Sequence, residues 1–295
     1  MLTTRANTTE VSWADKAKIV AELLKIRLSL LVAFSACFGY VFACGRNVVW
    51  TDMIGLALGG FLITGCAIII NQILEKNIDK QMQRTQNRPL PTEKVTIQEA
   101  ISLAFVVGLA GFFFLIIATN WLTVFLASLS VVLYSFVYTP LKKVGSIAVF
   151  VGAIPGALPP LLGWVAATNQ ISWEAISIFA VQFIWQFPHF WAIAWVLDED
   201  YSKVGFKMLP SKIGRPAATY IVAYTLLLIP ISMIPFWGGL IGSFAAFAVT
   251  FAGILFLLPT IKLWQDSQKK FALYIMFASF LYLPFVQIVY LLDRL

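Results

Sequence analysis

The chain has 295 residues, of which 60% are hydrophobic and 12% charged, and its mean hydropathy of +0.85 excludes a soluble globular domain. The net charge of +7 does not point to nucleic acid, because in so apolar a chain the bases set membrane topology. Cys37, Cys44 and Cys66 all lie in apolar runs without metal-ligand spacing, so they read as small core residues rather than disulfides or zinc ligands.

The first 25 residues are polar and lack the apolar core of a secretory signal, which predicts a cytoplasmic tail over 1–26 with an amphipathic lead-in. A single transmembrane domain is expected over 27–295. Nine apolar spans are predicted, over 27–44, 53–72, 98–118, 121–138, 147–167, 173–196, 214–234, 238–259 and 271–292. With that count and a cytoplasmic N-terminus, every Lys and Arg except Arg46 and Arg294 falls on the cytoplasmic side. A miscounted span would scramble this division. The outer connections are very short, whereas those after the second and sixth spans are long and hold most of the acids. Chemistry is therefore expected at the cytoplasmic face.

The long segment after the second span, Asn71 to Pro91, carries the clearest pattern. Asn71, Glu75 and Asp79 stand at i, i+4 and i+8, one stripe of a helix, and Lys80, Arg84, Arg88, Pro89 and Pro91 follow. An amide and two carboxylates are hard oxygen ligands, suited to Mg2+ shared with substrate phosphates. No Cys or His accompanies them, which disfavours zinc and iron. The plain alternative is an amphipathic helix end solvated at the membrane surface, but Asn71 lies on the apolar side, where a polar group is costly.

The fourth span ends in Tyr138-Thr-Pro-Leu-Lys142-Lys143, where Lys142 is a plausible phosphate partner and Lys143 an ordinary interface anchor. The fifth span is interrupted by Pro155, Pro159 and Pro160 and carries Gly152, Gly156 and Gly163, which suits close helix approach or a lined cavity. The sixth holds the single histidine, His189, with Gln182 and Gln186 on its side of the helix, and runs into Asp198, Glu199, Asp200, Lys203 and Lys207. Two acidic clusters with adjacent bases fit a metal-bridged diphosphate leaving group. The many aromatic residues suit an apolar tunnel for the carbon chain, and their faces stabilise a cation.

At these motifs the chain resembles the UbiA-type intramembrane prenyltransferases. NQILEKNID, with QMQRTQNRPLP, YTPLKK, GAIPGALPPLLGWVAA, WQFPHFWAIAW and DYSKVGFKMLP, is similar to the haem-farnesylating branch over roughly residues 20 to 290. The resemblance implies an all-α fold of nine transmembrane helices around a central cavity, in a bacterial inner membrane with the C-terminus outside. It implies attack by a vinyl group of haem B on farnesyl diphosphate, with water supplying a hydroxyl, to give haem O for terminal oxidases. Contact with haem A synthase or the terminal oxidase assembly is a further expectation. Asn71, Glu75 and Asp79, helped by Asp198 or Asp200, would hold Mg2+ and diphosphate, with Asp200 the second-loop acid expected on the metal. Arg84, Arg88 and Lys142 would contact the diphosphate, and Tyr138, Gln186, His189 and Lys203 the substrates, His189 as a candidate contact for the porphyrin, its iron or a propionate. Glu75 stands where the family usually has Asp, and the second acidic group is compressed into Asp198-Glu199-Asp200. Two other readings remain: a quinone-type or other aromatic acceptor, and a secondary transporter with midplane polar residues and Pro-broken helices.

Overall fold

The computed structural model describes residues 12–295, so the expectation for the extreme N-terminus, with Arg5, lies outside the described residues. Among the described residues, nine helices are long and apolar enough to cross a membrane, and there is no strand. They are α1 Ile26–Cys44, α2 Trp50–Leu74, α3 Ile97–Ala118, α4 Trp121–Leu141, α5 Ile147–Thr168, α6 Trp173–Val196, α7 Arg215–Trp237, α8 Ser243–Asp266 and α9 Lys269–Arg294. The count matches the sequence reading. The ends differ most at α8, which was expected over 238–259: Gly238–Gly242 form the connecting turn, Gly239 with φ 72°, and the helix runs on past Lys262.

Helix starts follow local chemistry. Thr96 and Glu99 form a reciprocal cap at α3, Thr96 Oγ1 accepting from the Glu99 N–H and Glu99 Oε2 accepting from the Thr96 N–H. Asn120 Oδ1 accepts from the Thr123 N–H at the start of α4. The lead-in helix Trp13–Leu24 is not a free tail, since Leu23 and Leu24 are buried with Ile69 and Leu90, and the Leu23 carbonyl accepts from Gln72 Nε2 at 2.7 Å.

Helix α1 packs along α5, where backbones meet almost without side chains between them. A Cβ on Gly163 would come within 1.8 Å of the Ala36 carbonyl, and one on Gly39 within 1.9 Å of the Pro160 carbonyl. Pro160 has no N–H to offer the Gly156 carbonyl one turn back. That carbonyl is met instead by Gln182 Nε2 at 2.8 Å from α6, so the proline break is repaired between helices.

Helices α1 to α6 and α9 line an apolar cavity of about 330 Å³, α3 through Leu115 alone, with α7 and α8 packed outside it. Large apolar side chains such as Phe105, Phe113, Phe125, Phe247 and Leu281 are exposed on the outer surface, as a lipid-facing belt requires. Arg46 and the C-terminus meet at one end of the bundle, Arg46 Nε donating to the Leu295 carbonyl at 2.7 Å. Most acids and bases gather at the other end.

Candidate active site

The expected stripe is bent rather than continuous. α2 closes at Leu74, Glu75 takes φ −97° and ψ 5°, and Asp79 ends a separate short helix, Lys76–Asp79. The break leaves all three motif side chains buried, Asn71 and Glu75 at 3–4% exposure and Asp79 at 0%. The turns over 80–94 follow at once, so the helix stops well before Pro89.

Each motif residue has a defined partner. Asn71 Nδ2 donates to Thr139 Oγ1 at 2.9 Å, and the Thr139 hydroxyl donates to the Tyr134 carbonyl. The Thr139 proton is thus committed, which fixes the Asn71 amide and leaves its Oδ1 as an acceptor. Both Glu75 oxygens accept from Lys142 Nζ, at 2.9 and 3.1 Å. Arg88 Nη1 donates to Asp79 Oδ2 at 2.6 Å, while Asp79 Oδ1 is buried with no hydrogen-bond partner.

The loop after α6 closes over this group. Asp200 Oδ2 accepts from the Arg84 backbone N–H at 3.2 Å, and Asp200 Oδ1 accepts from Lys203 Nζ at 3.3 Å. Burial pushes the Asp200 carboxyl up, but the backbone N–H groups of Arg84 and Gln83 and the Lys203 ammonium outweigh it and hold it below the usual carboxylate range. Asp200 is therefore the acid of the second loop that faces the first motif. Glu199 is exposed, and Asp198 lines a separate open depression of about 590 Å³ with Tyr201, Lys207 and Lys212. The Arg84 side chain is exposed and has no carboxylate within 4.0 Å among the described residues.

Sequence reasoning missed Lys25, which it counted only as a topology-setting base. It sits at the joint between the lead-in helix and α1 with positive φ, 44°. Burial, and then the like charges of Arg88, Arg84 and Lys142, pull its ammonium down to about 7. No carboxylate lies within 4.0 Å of it among the described residues. Its signal in sequence was slight: one base directly before an apolar span.

Lys142 connects this group to the cavity. Its ammonium lies 4.7 Å from the centroid of Tyr138, whose ring lines the cavity wall at the end of a π-helical turn, Leu133–Tyr138. Gln182, Gln186 and His189 line the same cavity from α6, as their shared face predicted. Trp185 stacks on His189 at 4.6 Å, and Trp191 and Trp195 are buried core.

Among the described residues, no three His, Cys, Asp or Glu side chains converge as a ready metal site; Glu75, Asp79 and Asp200 each carry a base instead. A hard cation still fits the donors. The unpartnered Asp79 Oδ1 and the free Asn71 Oδ1 are oxygen ligands, and Mg2+ ordinarily binds through one or two carboxylates while phosphates and water fill its remaining positions. The bases now on the carboxylates are the groups an incoming diphosphate would recruit.

A family model described as the UbiA prenyltransferase family matches residues 32–281. The chain is 48% identical to protoheme IX farnesyltransferase of Cytophaga hutchinsonii, covering 96% of this chain and 99% of that protein. It is 41% identical to the protein of that name from Flavobacterium psychrophilum, covering 92% and 93%. Its fold is similar to the solved structure of digeranylgeranylglyceryl phosphate synthase, with a TM-score of 0.79 at 17% identity, covering 95% of this chain and 99% of that one. A UbiA homolog from Archaeoglobus fulgidus bound to GPP and Mg2+ aligns with a TM-score of 0.66 at 16% identity, covering 92% and 99%.

Proposed function

As the chain belongs to the UbiA prenyltransferase family, we infer that it transfers a farnesyl group from farnesyl diphosphate to a vinyl group of haem B, with addition of water, giving haem O and diphosphate. It is an integral membrane prenyltransferase. The acceptor reading rests on near-full-length similarity to relatives named for farnesyl transfer to protoheme IX, which favours it over a quinone-type acceptor. Family membership sets the transporter reading aside.

The single observation that carries the placement of the diphosphate is the half-paired Asp79: Arg88 on one oxygen, nothing on the other, in a fully buried side chain. Asn71, Glu75, Asp79 and Asp200 would hold Mg2+, whose charge would stabilise the departing diphosphate. Lys25, Arg84, Arg88 and Lys142 would take the diphosphate oxygens, Lys142 exchanging Glu75 for phosphate, with Lys203 at the rim. Tyr138 marks the passage from this site into the cavity. There the apolar walls would hold the farnesyl chain and exclude bulk water from the carbocation. Asp198, on its own depression, is the least suited of the acids proposed from sequence.

We place the active site at the cytoplasmic face of a bacterial inner membrane, the C-terminus opposite, in one transmembrane domain over 27–295; the basic-residue division supports this orientation. Any contact with haem A synthase or a terminal oxidase would then use a surface beyond this site.

The test is incubation of the purified protein with haem B, farnesyl diphosphate and Mg2+, followed by haem mass. A haem heavier by farnesyl plus water supports the reading. Unmodified haem, with prenylation of a quinone precursor supplied alongside, overturns it.

A further inference from the structure

The polar side-chain atoms that α6 and α9 leave free along the cavity are acceptors. Gln186 Nε2 donates to the Ala153 carbonyl at 2.9 Å and to the Gln182 carbonyl at 3.3 Å. Carbonyls only accept, so the amide orientation is fixed and Oε1 is the atom left over. It lies against Gly156, where a Cβ would come within 2.0 Å of it. Gln287 repeats the arrangement: its Nε2 donates to Ser35 Oγ and Gln182 Oε1, at 2.8 and 3.0 Å, and its Oε1 remains.

His189 completes the wall. The Ser279 hydroxyl donates to the Met276 carbonyl at 2.6 Å, so at 2.7 Å from His189 Nδ1 its oxygen can only accept. Nδ1 therefore carries the hydrogen, and in the neutral ring Nε2 is bare, with no partner among the described residues. Trp185 lies parallel to the imidazole at 4.6 Å, its Nε1 spent on the Ser279 carbonyl, and Phe280 meets it edge-on at 5.0 Å. Gln186 and His189, three residues apart, share one helix face.

Acceptors without donors on one wall of an apolar cavity suit a small molecule that gives two hydrogens and keeps a lone pair, which is water. We propose that Gln186 Oε1 and His189 Nε2 hold the water that becomes the new hydroxyl, that His189 takes its proton, and that Ser279 is the positioning residue that sets the histidine tautomer. This rests on the haem-vinyl acceptor reading. The C1–O bond of farnesyl diphosphate breaks and its electron pair leaves with the diphosphate. The vinyl π pair forms the new C–C bond to C1, leaving a cation on the vinyl carbon beside the ring. The water oxygen bonds to that carbon, and one water proton passes to Nε2. The stacked Trp185 face stabilises the imidazolium so formed, which then loses its proton to the medium.

The experiment uses full-length protein with haem B, farnesyl diphosphate and Mg2+, and reads two haem products by mass, with and without the added water. In Gln186→Leu and Ser279→Ala, haem O formation falls on the order of 10²-fold. The residual product shifts to farnesylated haem lacking water, because the cation loses a proton instead. Poor folding lowers both products together, so only the ratio is decisive, and Gly156→Ala, a change on α5 that displaces Gln186 Oε1, moves it the same way. An unchanged ratio overturns the proposal. So does loss of a histidine-ligated haem spectrum in His189→Gln, which would give Nε2 to iron. Wild-type protein that modifies no haem overturns the acceptor reading instead.

Discussion

Arg88 holds Asp79 by one oxygen only. Nη1 lies 2.6 Å from Oδ2, and Oδ1 on the same fully buried carboxylate has no partner. A buried acceptor left bare costs about 1–3 kcal/mol, more when charged, so Asp79 Oδ1 suits a proposed cation ligand. Asp79→Asn keeps the shape and removes the charge. Turnover should fall roughly 10²- to 10³-fold while the protein still inserts and elutes as the wild type does. Near-normal single-turnover kinetics in this variant would remove Asp79 from the site.

Lys142 is expected to trade Glu75 for substrate. A hydrogen bond to a charged group contributes about 1.5–3 kcal/mol. Lys142→Met should therefore raise KM for farnesyl diphosphate about ten- to a hundred-fold, with little change in KM for haem. Equal effects on both substrates would show that Lys142 serves the fold and not the diphosphate.

Lys25 supplies a pH dependence. Its folded-state pKa is about 7 against an ordinary 10.5, so between these values the unfolded chain binds more protons. Stability should rise with pH across that window and lose this gain as pH falls towards 7. Diphosphate binding favours the charged ammonium and so takes up a proton. Affinity for farnesyl diphosphate should weaken above pH 7 by up to about tenfold per unit, and Lys25→Met should flatten the profile. An identical slope in that variant would contradict the assignment.

Helix number, the gathering of most bases at one end of the bundle and the shared face of Gln182, Gln186 and His189 were legible in sequence because each depends on composition or period alone. The bend at Glu75 was not. Spacing of i, i+4, i+8 describes a straight helix, and it takes Lys142, 67 residues further on, to draw Glu75 out of it. Nor could spacing choose among Asp198, Glu199 and Asp200, since the choice depends on the Arg84 backbone N–H across the site. Lys25 was hidden for the same reason: its charged neighbours come from two distant segments, Asp79 to Arg88 and Lys142.

The α1–α5 contact gives a stability prediction free of chemistry. A side chain on Gly163 meets the Ala36 carbonyl and the Tyr40 N–H, which are backbone and cannot rotate away. Gly163→Leu should destabilise the protein by about 1–3 kcal/mol or more, read as a lowered Tm in detergent. An unchanged Tm would mean that the two helices separate freely.

The base-capped acids Glu75, Asp79 and Asp200 are proposed to open into a clamp for metal and diphosphate. Calorimetric titration with farnesyl thiodiphosphate, which keeps both phosphates but leaves slowly, tests it without turnover. Tight binding is expected with Mg2+, loss of binding in chelator, and little binding to Asp79→Asn under either condition. Equal binding by wild type and Asp79→Asn, with or without Mg2+, would contradict it.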